Sequence, residues 1–423
     1  MTSTASPASA ELAGLAADPG TQRRVLTVLV VSQVLSGAGL AAGITVGALL
    51  AQEMLGTTGL AGLPSALFTA GSALAAIAVS RVSQAHGRRR GLALGYGAGA
   101  VGSAGVIAAA VADSPALLFA ALFVYGAGSA TNLQARYAGA DLAPATHRAR
   151  AVSTVLVATT LGGVVGPNLA APTGRLAHAL GIPHLAGPFI LAGVAYAAAA
   201  VVLAVRLRPD PLLLARALAE TAPAADPGQG DAGRQEAAPR ARGGVLLGAT
   251  VMVLTQLVMV AVMTMTPVHM QDMGHGTAAS GLVIAIHVGA MYLPSPVTGR
   301  LVDRYGRLAV ACASGVVLLA AGLLAAVAPG DSVALLALAL ALLGVGWNLG
   351  LVSGTAIITD AAPLATRAKT QGMVDVAIAV SGAAGGLASG AVVDLAGYPV
   401  LALAGGLLAL AVLPAVAATA RTR

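Results

Sequence analysis

The sequence predicts an all-α integral membrane protein with twelve transmembrane helices in two pseudo-symmetric six-helix bundles. Three observations lead there. The 423 residues are 57% hydrophobic and only 9% Asp, Glu, Lys or Arg, too little charge to cover a soluble surface of that size. The apolar residues gather into a dozen runs of about 20, each long enough to cross a ~30 Å hydrocarbon layer as a helix. Residue types also recur between the two halves at one constant offset.

The runs lie at about 25–50, 61–80, 91–112, 115–138, 151–173, 186–206, 245–268, 277–298, 308–328, 332–358, 370–392 and 398–420. The first follows Arg23 and Arg24 and has no small-residue processing site with a polar chain behind it, so it is expected to be a retained helix. Basic residues set the orientation. With the N-terminus in the cytoplasm, alternation leaves only Arg175 of the 23 Lys and Arg residues on the outer side. That asymmetry predicts an even number of spans, both termini cytoplasmic, in the cytoplasmic (inner) membrane. The pI of about 10.2 follows from the same asymmetry. Basic residues scattered between apolar spans form no nucleic-acid patch, so nucleic acid is excluded as a partner. The lone Cys312 excludes disulfide stapling and a cysteine metal site.

Residues 207–243 break the apolar pattern with Pro, Asp, Gly, Gln and Arg, and read as a cytoplasmic linker with a short surface helix over Leu212–Glu220. The organisation expected is a cytoplasmic tail at 1–24, a six-helix bundle at 25–206, the linker, a second bundle at 244–420 and a short tail at 421–423. At an offset of 219 residues Arg81 maps onto Arg300, Gly87-Arg88 onto Gly306-Arg307, Asp141 onto Asp360, Pro144 onto Pro363 and Arg148 onto Arg367. Such agreement reads as duplication. Gln84 falls where the second half has Asp303.

Two bundles related by an axis along the membrane normal and joined by a long cytoplasmic loop resemble the major facilitator superfamily over about 25–420. The most specific piece, Gly299-Arg300-Leu301-Val302-Asp303-Arg304-Tyr305-Gly306-Arg307, resembles the family's loop motif between the second and third helices of a half. The resemblance implies that Asp303, with helix-end dipoles and the basic Arg300, Arg304 and Arg307, holds the cytoplasmic side closed. The first-half copy has Gln84 in place of the acid, so charge gating should rest on the second copy. Asp141 with Arg148, and Asp360 with Arg367, fit inner-face latches between neighbouring helices. Gly162-Gly163-Val164-Val165-Gly166-Pro167-Asn168 is similar to the family's glycine–proline motif, in which small residues allow close helix approach and the proline kinks.

The spans at 245–268 and 277–298 carry Met259-x-x-x-Met263 and His287-x-x-x-Met291. Each pair has i,i+4 spacing and shares a helix face. At 1.5 Å per residue Met259 and His287 fall at one level, with Met263 a turn outward and Met291 a turn inward. Thioether sulfur and imidazole suit a soft ion such as Cu(I). Met265, His269, Met270, Asp272, Met273 and His275 crowd the outer mouth. The first-half equivalents Leu40, Ile44, Phe68 and Ser72 are not comparable donors. Packing methionines or a proton-handling His287 account for the same residues. The paired motifs, and the phrase from His287 to Gly299, are similar to those of the CcoA-like copper importers. That group supplies copper for cbb3-type oxidase assembly and stands close to riboflavin-type importers. The resemblance implies Met259, Met263, His287 and Met291 as successive metal ligands.

Asp375, inside the eleventh span, is a candidate for proton coupling, or a helix-end carboxylate held by Lys369 or an amide. The fourth helix lines the cavity in the superfamily that the chain resembles, which implies Asn132, Gln134 and Arg136 as candidate cavity residues, with snorkelling the alternative for Arg136. Gln33 and Asn348 stand similarly. No phosphate-binding Gly-rich loop appears, so a secondary carrier is expected, neither pump nor enzyme. The sequence therefore predicts a monomeric alternating-access transporter with no permanently bound cofactor. Its cargo is read as Cu(I), with periplasmic or cytoplasmic metal carriers as partners. The alternative is a proton-coupled carrier of a small organic solute, a flavin-like importer or a drug exporter.

Overall fold

A computed structural model describes residues 19–55, 63–221 and 231–421. The tail at 1–18, linker residues 222–230, residues 422–423 and the side chains of Gly163–Asn168 lie outside the described residues. The described residues are almost wholly helical: α1 (Pro19–Leu55), α2 (Leu63–His86), α3 (Arg88–Val111), α4 (Pro115–Ala140), α5 (Arg148–Ala179), α6 (Gly187–Arg206), α7 (Pro211–Thr221), α8 (Asp231–Asp272), α9 (Thr277–Tyr292), α10 (Ser295–Tyr305), α11 (Arg307–Val327), α12 (Val333–Ala361), α13 (Arg367–Ala396), α14 (Tyr398–Ala409) and α15 (Val412–Arg421). Among the described residues ten helical stretches have the length and apolarity of a membrane span. The 37-residue α1 and 32-residue α5 reach about 55 and 48 Å, also beyond a ~30 Å hydrocarbon layer.

Prolines divide two of the expected spans. Pro294 and Pro296 have no N–H to continue the ladder after α9, and the amides of Val297 and Thr298 both return to the Pro294 carbonyl. Before Pro414 the chain tightens into i,i+3 bonds from Leu410 to Leu407 and from Ala411 to Leu408. At the α2–α3 and α10–α11 turns Gly87 and Gly306 take φ of 90° and 92°, where a Cβ would be strained. The two turns are one feature repeated at the 219-residue offset.

Contacts divide the chain into two compact units, and membership departs from simple halving. Residues 363–376, which open α13, belong to the first unit; residues 145–153, which open α5, belong to the second. In the first unit α3 packs on α4 and α6, α2 on α4, and α1 on α6. Its centre is aromatic: Tyr96, Tyr125, Phe189 and Tyr196 are buried together. Gly39, Gly99 and Gly128 make the hollow that the Tyr196 ring fills, since a Cβ at any of them would strike it. In the second unit α11 packs on α12 and α14, while α8 and α9 both pack on α12. Its core is aliphatic, with Leu247, Val251, Ala311, Ile357 and Val412. The surface helix expected at Leu212–Glu220 is α7, and it also buries Leu212 and Leu214 against the first unit.

Candidate functional site

The first amides of a helix have no intrahelical acceptor and carry partial positive charge. In the second unit the Asp303 carboxylate accepts from the amides of Ala149 (3.2 Å) and Arg150 (3.1 Å) at the start of α5. The Arg150 guanidinium lies 3.6 Å from the same carboxylate. In the first unit Gln84 Oε1 accepts from the amides of Ala368 (2.8 Å) and Lys369 (3.3 Å) at the start of α13. Its Nε2 donates to the Ala365 carbonyl (2.6 Å). The two caps are equivalents at the 219-residue offset. Gln84, read from sequence as a missing acid, does the same hydrogen bonding without charge. Asp303 takes its arginine from Arg150, whereas Arg300 is exposed and Arg304 lies over its neighbour Tyr305.

The carboxylates expected as latches are paired differently from the sequence reading. Asp141 binds Arg88 at 2.8 Å, with Arg367 at 4.0 Å; Asp360 binds Arg307 and Arg148. Each aspartate thus takes one arginine from its own half and one from the segment that its unit borrows from the other half. The Arg88–Asp141 pair is buried, and Arg88 also donates to Gln371. The side chains of the Asp360 cluster are 21–30% open to solvent.

Arg136, Tyr137 and Asp375 form a group that the repeat does not reproduce: at the 219-residue offset the equivalent positions are Thr355, Ala356 and Leu156. Arg136 Nη2 donates to Asp375 Oδ1 at 2.7 Å and to the Tyr137 hydroxyl at 2.8 Å. Tyr137 donates to the same carboxylate oxygen at 3.2 Å. Arg136 is fully buried; it is matched inside the unit and does not snorkel. Asp375 lies about 12 Å along α13. Its partner is Arg136 of α4, not the nearby Lys369, and its Oδ2 has no hydrogen-bond partner. A charge at this depth is tolerated because its opposite is in contact.

A second buried polar cluster joins four helices of the first unit. Gln33 Nε2 donates to Asn132 O and to Thr159 Oγ1 (both 3.1 Å). Tyr96 donates to Gln33 Oε1 (2.6 Å), and Asn132 Nδ2 donates to Ser36 (2.9 Å). Gln134 donates to the Ala76 carbonyl, leaving its own oxygen without a partner. Sequence reasoning picked out Gln33, Asn132 and Gln134 but missed Tyr96, Ser36, Thr159 and Tyr137, because hydroxyls on apolar helices look like ordinary packing until their partners are seen.

In the second unit, Met259, His287 and Met291 are buried and Met263 is half-buried. His287 Nδ1 bonds the Leu340 carbonyl at 2.8 Å, and Nε2 has no partner. The helix carrying His287 and Met291 lies against Gly344 of α12. At the expected mouth His269 stacks on Tyr398 at 4.4 Å, and His275 bonds the Gly330 carbonyl at 2.7 Å. Among the described residues no three His, Cys, Asp or Glu side chains gather where they could hold a metal ion. Trp347 donates to Gln256 at 2.7 Å and meets Tyr292 edge-on at 5.7 Å. Asn348 holds the α9–α10 break by donating to Met291 O and Ser295 Oγ, both 2.7 Å.

The model of the Major Facilitator Superfamily matches residues 29–294 and 278–423. The chain is similar to the uncharacterized MFS-type transporter YdeG of Bacillus subtilis (strain 168), 58% identical over 396 residues, covering 93% of this chain and 91% of the relative. It is also similar to the riboflavin transporter RfnT of Brucella anthropi, 33% identical over 366 residues, 85% of this chain and 86% of the relative. Among solved structures it shares its fold with the human organic anion transporter MFSD10, at a TM-score of 0.73 and 17% identity, covering 93% of this chain and 99% of that one.

Proposed function

Because the chain belongs to the Major Facilitator Superfamily, and so is a multi-pass membrane carrier of the alternating-access type and not an enzyme, we propose that it is a proton-coupled importer of a small organic solute of the flavin kind. The observation that carries the coupling is the buried Arg136–Tyr137–Asp375 group. One Asp375 oxygen is held and the other is buried without a hydrogen-bond partner, so the carboxylate can take a proton when Arg136 is drawn away and return it when the pair re-forms. The solute class rests on the likeness to RfnT. Half-buried Gln256 and Tyr292 beside Trp347 offer the polar and π surfaces that a flat heteroaromatic ring needs. The Met residues line an adaptable apolar wall in this reading.

Cu(I) import is the second reading, and one observation favours it. With Nδ1–H donated to the Leu340 carbonyl, His287 presents an unpaired Nε2, the arrangement usual for a metal-bound imidazole. One experiment separates the readings: purified protein in proteoliposomes, offered riboflavin or Cu(I) under an imposed proton gradient. We expect gradient-driven riboflavin uptake that Asp375→Asn abolishes and His287→Leu leaves standing. Copper uptake lost in both Met263→Leu and His287→Leu, with no riboflavin flux, would replace the organic-solute reading.

A further inference from the structure

We propose that the cleft between the α2–α3 turn and the Leu207–Leu213 segment is a binding site for a phosphate-bearing anion, most simply an anionic phospholipid headgroup. The cleft lies within the first unit and has a volume of ≈ 490 Å³. Its lining includes His86, Arg89, Arg90 and Arg208, with Asp210 as its one carboxylate. That carboxylate is engaged elsewhere. Oδ2 accepts from the Arg89 amide at 2.8 Å, and Oδ1 accepts from the Leu212 and Leu213 amides at 3.1 and 3.2 Å, capping α7. Among the described residues the side chains of Arg89, Arg90 and Arg208 enter no ion pair.

Three arginines therefore line one concavity with a single carboxylate among them, which leaves the cleft with an excess of positive charge. Topology alone asks for positive residues near this membrane face; it does not ask that they surround a cleft while the one acid turns to backbone amides. Planar guanidinium forks suit phosphate oxygens. The position suits a lipid. The turn closes two membrane-spanning helices, and exposed Leu213 of α7 stands at the cleft edge, where an acyl chain would lie. Occupancy would tie α7 to the α2–α3 turn. α7 also carries Arg216, which donates to the carbonyls of Gln84 and Leu364, so the cleft adjoins the Gln84 cap. This inference is independent of the transported solute.

The test uses the full chain in dodecyl maltoside micelles, with phosphatidylglycerol, phosphatidylcholine or inorganic phosphate as probes, read by native mass spectrometry and by thermal unfolding. We expect phosphatidylglycerol to be retained in preference to phosphatidylcholine, and Arg90→Gln to weaken that retention roughly tenfold. The triple variant Arg89→Gln/Arg90→Gln/Arg208→Gln should remove it, with unfolding in phosphatidylcholine unchanged. A rise in unfolding temperature with inorganic phosphate, lost in Arg90→Gln, would place the site but make a free phosphate group its ligand. Equal retention of the two lipids with no phosphate effect, or preference undiminished in Arg90→Gln, overturns the proposal.

Discussion

Asp375 is attached to Arg136 and Tyr137 through a single oxygen in a fully buried setting. Removing one member of such a pair leaves a charge that the interior cannot solvate, so Arg136→Met should cost about 3–5 kcal/mol. The double variant Arg136→Met/Asp375→Leu should recover most of that loss, as measured by thermal unfolding in micelles, while abolishing proton coupling. The Asp360 cluster is the contrast. It is partly open to water, so Asp360→Asn should change stability by no more than about 1 kcal/mol. Glycine contacts make a third case. A Cβ on Gly372 would collide with Ser80, whereas one on Gly97 would meet nothing within 4 Å. Gly372→Ala should therefore cost about 1–3 kcal/mol, and Gly97→Ala should cost nothing measurable in the same unfolding assay.

The openings of α5 and α13 are each capped by a side chain from another helix, Asp303 in one case and Gln84 in the other. Losing a cap costs about 0.5–2 kcal/mol, concentrated in the first turn of the helix. Asp303→Ala should accelerate amide exchange at Ala149 and Arg150 without affecting Ala368 and Lys369; Gln84→Ala should do the reverse. Exchange that rises equally at both openings in either variant would mean that the caps do not act one helix at a time. Because one cap is charged and the other neutral, raising the salt concentration should loosen the α5 opening more than that of α13.

Across the whole chain, the distribution of Lys and Arg makes a topological prediction. After Cys312→Ser, a cysteine introduced for Glu220 should react with an impermeant maleimide only when the membrane is broken. One introduced for Asp331, between α11 and α12, should react in intact cells. The pattern reversed would invert the orientation read from the charges. The two units also exchange their helix openings, 145–153 for 363–376. This explains why Asp141 and Asp360 find arginines from the opposite half of the sequence: the duplicated latch is completed by the other copy's helix start.

The membrane class and the helical runs needed no tertiary information, because burial in lipid is decided by length and apolarity along one segment. The repeat was equally legible, since the 219-residue offset is a property of the string, and it located the turn glycines and both carboxylate latches. The depth of Asp375 and the polarity of Gln33, Asn132, Gln134 and Arg136 were visible as costs that some partner had to offset. Which partner was a matter of tertiary structure. Arg136 and Asp375 are 239 residues apart, and only the packing of the start of α13 into the first unit brings them into contact. The same packing turned Gln84 from a missing charge into a working cap, while the meeting of the Leu207–Leu213 segment with the α2–α3 turn gathered Arg89, Arg90 and Arg208 around one cleft. Single segments encode their own solvation; the pairing of charges depends on which segments meet.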